Sequence, residues 1–190
     1  METFGYLAVF YSIILGLAIT RVFSGFAELI NLRQAVRWYG PFIIWGAFLL
    51  FYAAWEWWVI FRWHTHRSWS FQLYGFLALR PSLIYFATHL LLPDFDNEGQ
   101  VDLREQFARV RRWLFSIVGL IVLLGIADSA LKGHDYFVSI WLSWQWPIST
   151  SLLTLALIGI VVRAEWLQWL LPLLMLVVFA YFAIHSSPIQ

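Results

Sequence analysis

The sequence predicts an all-α, polytopic membrane protein: a six-transmembrane-helix bundle with a short interfacial helix before the fourth span. Three observations lead there. Hydrophobic residues fill 62% of the 190 positions and charged residues only 12%, with a mean hydropathy of +0.73. Soluble chains average about 45–50% apolar and about 25% charged residues, so a water-soluble fold would lack the polar surface to cover this one. The apolar residues also fall in runs of about 20, the length a helix needs to cross roughly 30 Å of hydrocarbon. Finally, no run alternates as the strands of an outer-membrane barrel do, and lipid cannot satisfy open backbone, which leaves helices.

The first span, Phe4–Leu29, lacks a basic start and is too long for the apolar part of a cleavable signal, so it is expected to be retained. Ala8, Ser12, Gly16, Thr20, Ser24 and Glu28 recur every fourth position along it. Small residues at that spacing predict the close approach of another helix. The second span, Phe42–Phe61, ends among Trp55, Trp57 and Trp58, with Trp63 and Trp69 just beyond. An interfacial belt explains this group, because an indole seeks apolar surroundings with its N–H near water; an aromatic ligand cage is the alternative. Gln72–Leu92 and Trp113–Leu131 form the third and fourth spans. The fifth, Phe137–Val162, carries Ser139, Ser143, Pro147 and Ser151 at four-residue spacing, after a second tryptophan group at Trp141, Trp144 and Trp146. Pro147 predicts a kink, with Ser149, Thr150 and Ser151 placed to bond the freed carbonyls. Trp166–His185 is the sixth. Every connection is short except residues 93–112, so residues 1–190 read as a single transmembrane domain.

Loop charge gives the expected orientation. The odd-numbered connections hold Arg33, Arg37, Arg104, Arg109, Arg111, Arg112 and Arg163; the even-numbered ones hold only Arg62, Arg67 and Lys132. The bias makes the odd connections, including residues 93–112, cytoplasmic and turns both termini outward.

Arg21, Glu28, Glu56, Arg80, His89 and Asp128 are ionisable residues inside these spans. Each costs about 2.5–3.5 kcal/mol at a helix centre, so they should face protein and find partners. Depth along the helices groups them. Arg80, Glu56 and Asp128 fall in the outer half, with Arg80 as the cation between two carboxylates. Arg21, Glu28 and His89 fall in the inner half. Such a set either locks helix register through paired charge or lines an ion or proton pathway.

The hydrophilic stretch from Asp94 to Glu105 also carries two readings. Asp102 followed by Glu105 is a capping box, and Glu105 with Arg109 is an i,i+4 pair, so a helix should begin near Leu103. Leu103, Phe107 and Val110 would then rest on the bilayer, with Arg104, Arg111 and Arg112 at anionic head groups. Alternatively, Asp94, Asp96, Glu98, Gly99 and Glu105 follow the spacing of a calcium loop, although Glu98 stands where Asp or Asn is usual and Pro93 interrupts the entering helix. His64 and His66 make an H-x-H pair without a third ligand.

Several classes of function are excluded. Without cysteine there is no disulfide, thiolate zinc site, iron–sulfur cluster or thiol nucleophile. A net charge of +1 offers no footprint for nucleic acid. No P-loop, dinucleotide fingerprint, G-x-S-x-G or H-E-x-x-H is present. Catalysis is therefore not expected, and calcium is the only cofactor the residues suggest.

Tyr11-Ser-Ile-Ile-Leu-Gly-Leu-Ala-Ile-Thr-Arg21, Tyr85-Phe86, Leu91-Leu-Pro-Asp94 and Leu103-Arg-Glu-Gln-Phe107 leading to Arg111-Arg112 resemble a family of uncharacterised bacterial polytopic membrane proteins of about this length. The resemblance covers roughly residues 7 to 115. It implies a bacterial inner-membrane protein of one domain and carries no assigned activity.

Together these readings predict a non-catalytic integral membrane protein, oligomeric, whose partners are the lipid bilayer and copies of itself or a membrane complex. The intramembrane charges point to a small ion or solute pathway. The alternative is a structural or accessory subunit of a larger membrane complex, and a calcium-responsive sensor is the third reading.

Overall fold

A computed structural model describes residues 3–66, 68–92, 94, 100–141 and 145–185. Seven α-helices account for nearly all of them: α1 Thr3–Asn31, α2 Gly40–Ile60, α3 Phe71–Leu91, α4 Leu103–Leu131, α5 His134–Trp141, α6 Gln145–Val161 and α7 Glu165–His185. Four segments, Phe4–Asn31, Gly40–Trp63, Leu103–Leu131 and Glu165–Ile184, are long and apolar enough to cross a membrane. α3 equals α2 at 21 residues, but Gln72, Arg80, Ser82 and His89 dilute its apolar character. α6 is apolar but has only 17 residues.

The chain forms two compact units, Met1–Val110 and Arg111–Ser187. In the first, α1, α2 and α3 pack on one another. α1 presents Leu7, Tyr11, Leu15, Ala18, Val22 and Leu29 inward, a stripe at three- and four-residue spacing. α2 answers with Phe42, Trp45, Leu49, Ala53 and Glu56, and α3 with Leu77, Arg80, Ile84, Ala87 and Leu91. Gly46 lets α1 and α2 approach closely, because a Cβ there would enter the Phe26 ring. Ser70 caps α3 by accepting from the Leu73 N–H at 3.2 Å.

A pair of two-residue strands, absent from the sequence expectations, joins the first connection to the third. β1 (Val36–Arg37) runs parallel to β2 (Val101–Asp102), with Val36 opposite Val101 and Arg37 opposite Asp102. The first and third connections therefore lie at the same end of this unit. Asp102 then starts α4: its Oδ1 accepts from the backbone N–H of Arg104 at 2.9 Å and of Glu105 at 3.1 Å, and its Oδ2 takes Arg37 at 3.0 Å.

In the second unit α6 packs on α7 and against α4. Phe115 lies against Gly159, where a Cβ would overlap its ring, and Gly119 faces Ala156. Two residues past the end of α4, Gly133 has a φ of 116°, in the left-handed region that favours glycine.

Several expectations need correction. Of the expected fifth span, the described residues comprise α5, to Trp141, and α6, from Gln145, with Pro147 two residues along it. Thr150 and Ser151 bond back to the Trp146 and Pro147 carbonyls within α6, at 3.1 and 2.6 Å. Within the chain, the small-residue face of α1 is not the face that packs: Gly16, Thr20 and Ser24 are exposed, with open space beside Gly16. The inward stripe lies about one residue, roughly 100°, around the helix, where larger apolar side chains bury more area. Finally, α4 forms without a break from Leu103, and Leu103, Phe107 and Val110 are buried in protein and do not lie on lipid. Phe107 meets the Tyr39 ring at 5.8 Å.

Candidate functional site

A buried polar cluster in the first unit is the strongest candidate. Glu56 lies four residues from the end of α2, and Arg80 nine residues into α3. The guanidinium Nη2 meets Glu56 Oε2 at 2.9 Å. The other oxygen, Oε1, accepts from the Tyr11 hydroxyl of α1 at 2.6 Å. Tyr52, one turn before Glu56 on α2, interacts with both Glu56 and Arg80. Glu56 is 1% exposed and Arg80 7%. Three helices thus converge on one carboxylate, each bringing a donor or a counter-charge.

Every group here sits where its helix's apolar stripe places it. Tyr11 follows Leu7 and precedes Leu15 at four-residue steps; Glu56 follows Leu49 and Ala53; Arg80 lies between Leu77 and Ile84. The sites are enclosed, so an unpaired charge in any of them would be costly and the pair is held at net zero. The bond to Tyr11 is short because its acceptor is ionised. Chemically the arrangement fixes helix register, and it is also a run of proton-bearing groups.

The remaining expected residues have the following surroundings. Asp128, on α4 in the second unit, is held by Lys132 at 2.7 Å one turn on, and the Lys132 ammonium lies 5.5 Å from the Tyr136 ring centre. Arg21 does not meet Glu28 or His89. Its Nε donates to the Leu92 carbonyl at 2.7 Å and its Nη1 meets Asp94 at 2.9 Å, tying α1 to the end of α3. Glu28 makes no side-chain hydrogen bond or ion pair with a described residue, and exposed His89 packs on Tyr85 at 4.3 Å. At ten residues from the end of α1, Arg21 faces the terminus of α3, where carbonyls lie free; that exit accounts for the correction.

Of the small residues, Ser12 takes part in packing: it accepts from the indole N–H of Trp57 at 2.9 Å, joining α1 to α2. Around the second connection, Trp57 and Trp58 are exposed, whereas Trp63 is 2% exposed and meets His66 at 5.1 Å and Trp69 at 6.3 Å. His64 and His66 each place one ring nitrogen 2.8 Å from a backbone carbonyl, of Phe61 and Ser68 respectively.

For calcium, Asp96 and Glu98 lie outside the described residues. Asp94 is on Arg21, and Glu105 holds Arg109 at 3.2 Å. No group of three or more metal-ligating side chains occurs among the described residues.

Sequence reasoning missed Tyr11 and Tyr52. The available signal was a hydroxyl-bearing ring within an otherwise apolar stripe. It also missed Arg111, which is 5% exposed and donates to the Gly159 and Val162 carbonyls at the end of α6, the latter at 2.6 Å. Its position four residues from both Phe107 and Phe115 placed it on the inward face.

No protein-family model matches this chain, and neither a curated protein nor a solved structure does.

Proposed function

We propose that the chain is a non-catalytic, multi-pass protein of the bacterial inner membrane, with six crossings, acting as a structural or accessory subunit of a membrane assembly. One observation carries this reading: Glu56 is sealed from solvent with both carboxylate oxygens occupied, one by Arg80 and one by Tyr11. A carboxylate in that state binds no passing ion, whereas it does fix the register of three helices. Exposed apolar side chains along α1 and α7, among them Ile13, Leu17, Leu173 and Val177, supply surface for lipid and for copies of itself or another subunit. The common end of the first and third connections and the arginines they carry support a cytoplasmic placement for both, with outward termini.

The second reading is an ion or proton pathway. The run Tyr11–Glu56–Arg80, with Tyr52 beside it, favours it, since linked ionisable groups inside a membrane mark such routes.

Reconstitution into liposomes separates the two. With the full chain in vesicles holding a pH or potassium gradient, the structural reading expects flux equal to that of empty vesicles, and no change with Glu56→Gln. Flux that Glu56→Gln abolishes, in protein of unchanged helicity, would replace it with the pathway.

A further inference from the structure

The turn between α6 and α7 gathers positive charge around the buried Arg111. Arg111 spends its donors on the α6 carbonyls of Gly159, Ile160 and Val162. The charged groups acting on it are two further arginines, Arg112 and Arg163. Both are exposed, and neither makes an ion pair or hydrogen bond with a described residue. The acid in the first turn of α7, Glu165, is exposed and has an interaction of its own. Trp113, next to Arg112, and Trp166, three residues from Arg163, are each 66% exposed, and Val161 is 75% exposed.

We propose that Arg112 and Arg163, beside buried Arg111 and flanked by Trp113 and Trp166, bind the phosphodiester of an anionic phospholipid. The occupant follows from charge and from the surroundings. A planar guanidinium offers paired donors that match two phosphate oxygens, and two of them on one anion relieve the repulsion among the three arginines. Arg111 is already balanced in part by the negative end of α6, which leaves the exposed pair for an outside anion. The indoles prefer the depth of lipid head groups, and Val161, two residues before Arg163, exposes an apolar side chain beside them. A free phosphate would leave all of that apolar surface unused. The inference rests on the membrane-spanning reading but on neither role proposed above.

Native mass spectrometry of the full chain in neutral detergent tests it, with phosphatidylglycerol and phosphatidylcholine added separately. Phosphatidylglycerol should be retained and phosphatidylcholine not. Arg112→Gln with Arg163→Gln should weaken retention about 30-fold, and Arg163→Gln alone about 5-fold. Arg109→Gln, which loses only the exposed pair with Glu105, should leave it unchanged. Equal retention of both lipids, or undiminished phosphatidylglycerol binding in the double variant, overturns the proposal. Displacement of the lipid by millimolar inorganic phosphate also overturns it and marks a free-anion site. Both substituted residues are exposed, so the thermal midpoint of the lipid-free protein should stay put. Should the double variant unfold, the single variant decides by the same measure. Failure here leaves the flux result untouched, so the two proposals stand or fall separately.

Discussion

Tyr11 donates its hydroxyl to Glu56 across 45 positions of sequence, at 2.6 Å, and so ties α1 to α2 through a carboxylate that Arg80 holds from α3. Tyr11→Phe removes only the donor and leaves the buried Glu56 carboxylate with one hydrogen bond fewer. A charged hydrogen bond of this kind contributes about 1.5–3 kcal/mol. The thermal midpoint in detergent should fall accordingly; an unchanged midpoint would show that the bond does not hold the two helices.

Glu56 and Arg80 should be strongly coupled. Replacing either alone with Met strands the other charge and should cost about 3–5 kcal/mol. Replacing both removes the charge altogether, so the double variant should be more stable than either single one. A denaturation cycle over the four proteins measures this, and additive losses would mean that the two charges do not depend on each other.

Gly159 should not tolerate a side chain. A Cβ there overlaps the Phe115 ring, so Gly159→Ala forces α4 and α6 apart, at about 1–3 kcal/mol. Phe115→Leu in the same chain should restore part of the loss. The midpoints of the single and double variants report it, and a stabilising Gly159→Ala would contradict this packing.

Arg111→Lys should not substitute for arginine. The guanidinium reaches the carbonyls of Gly159, Ile160 and Val162 together, and an ammonium on a flexible stem cannot span that fan. Amide hydrogen exchange should rise at the end of α6 and the start of α7 in the variant. Wild-type protection there would show that the lysine suffices.

The strand pair makes a topological prediction. Single cysteines at Gln34 and Gln100, in a chain that has none of its own, should react with an impermeant maleimide from the same side of the membrane, and one at Ser68 from the other. Labelling of Gln34→Cys and Gln100→Cys from opposite sides would contradict the pairing.

How much was legible in the sequence varies by residue. The start of α4 was legible because capping is local: Asp102 and Glu105 lie within one turn, and the side chain that accepts and the amides that donate are three residues apart. The apolar runs of α1, α2, α4 and α7 were legible for a similar reason, since length and hydropathy are properties of one segment. The choice of inward face on α1 was not: two stripes run side by side, one small and one bulky, and only packing decides between them.

The amino-acid sequence by itself determined the solvent this chain prefers and the classes of chemistry it lacks, because composition and the absence of cysteine do not depend on folding. It also placed Glu56 and Arg80 among residues too costly to leave facing lipid. Depth along the helices had set Arg80 beside Glu56 as an expectation, while Asp128 is held by Lys132 one turn on. That Arg21 turned to the end of α3 was decided only in three dimensions, because charge pairing needs approach within a few ångströms, and that distance is set by how helices far apart in sequence pack.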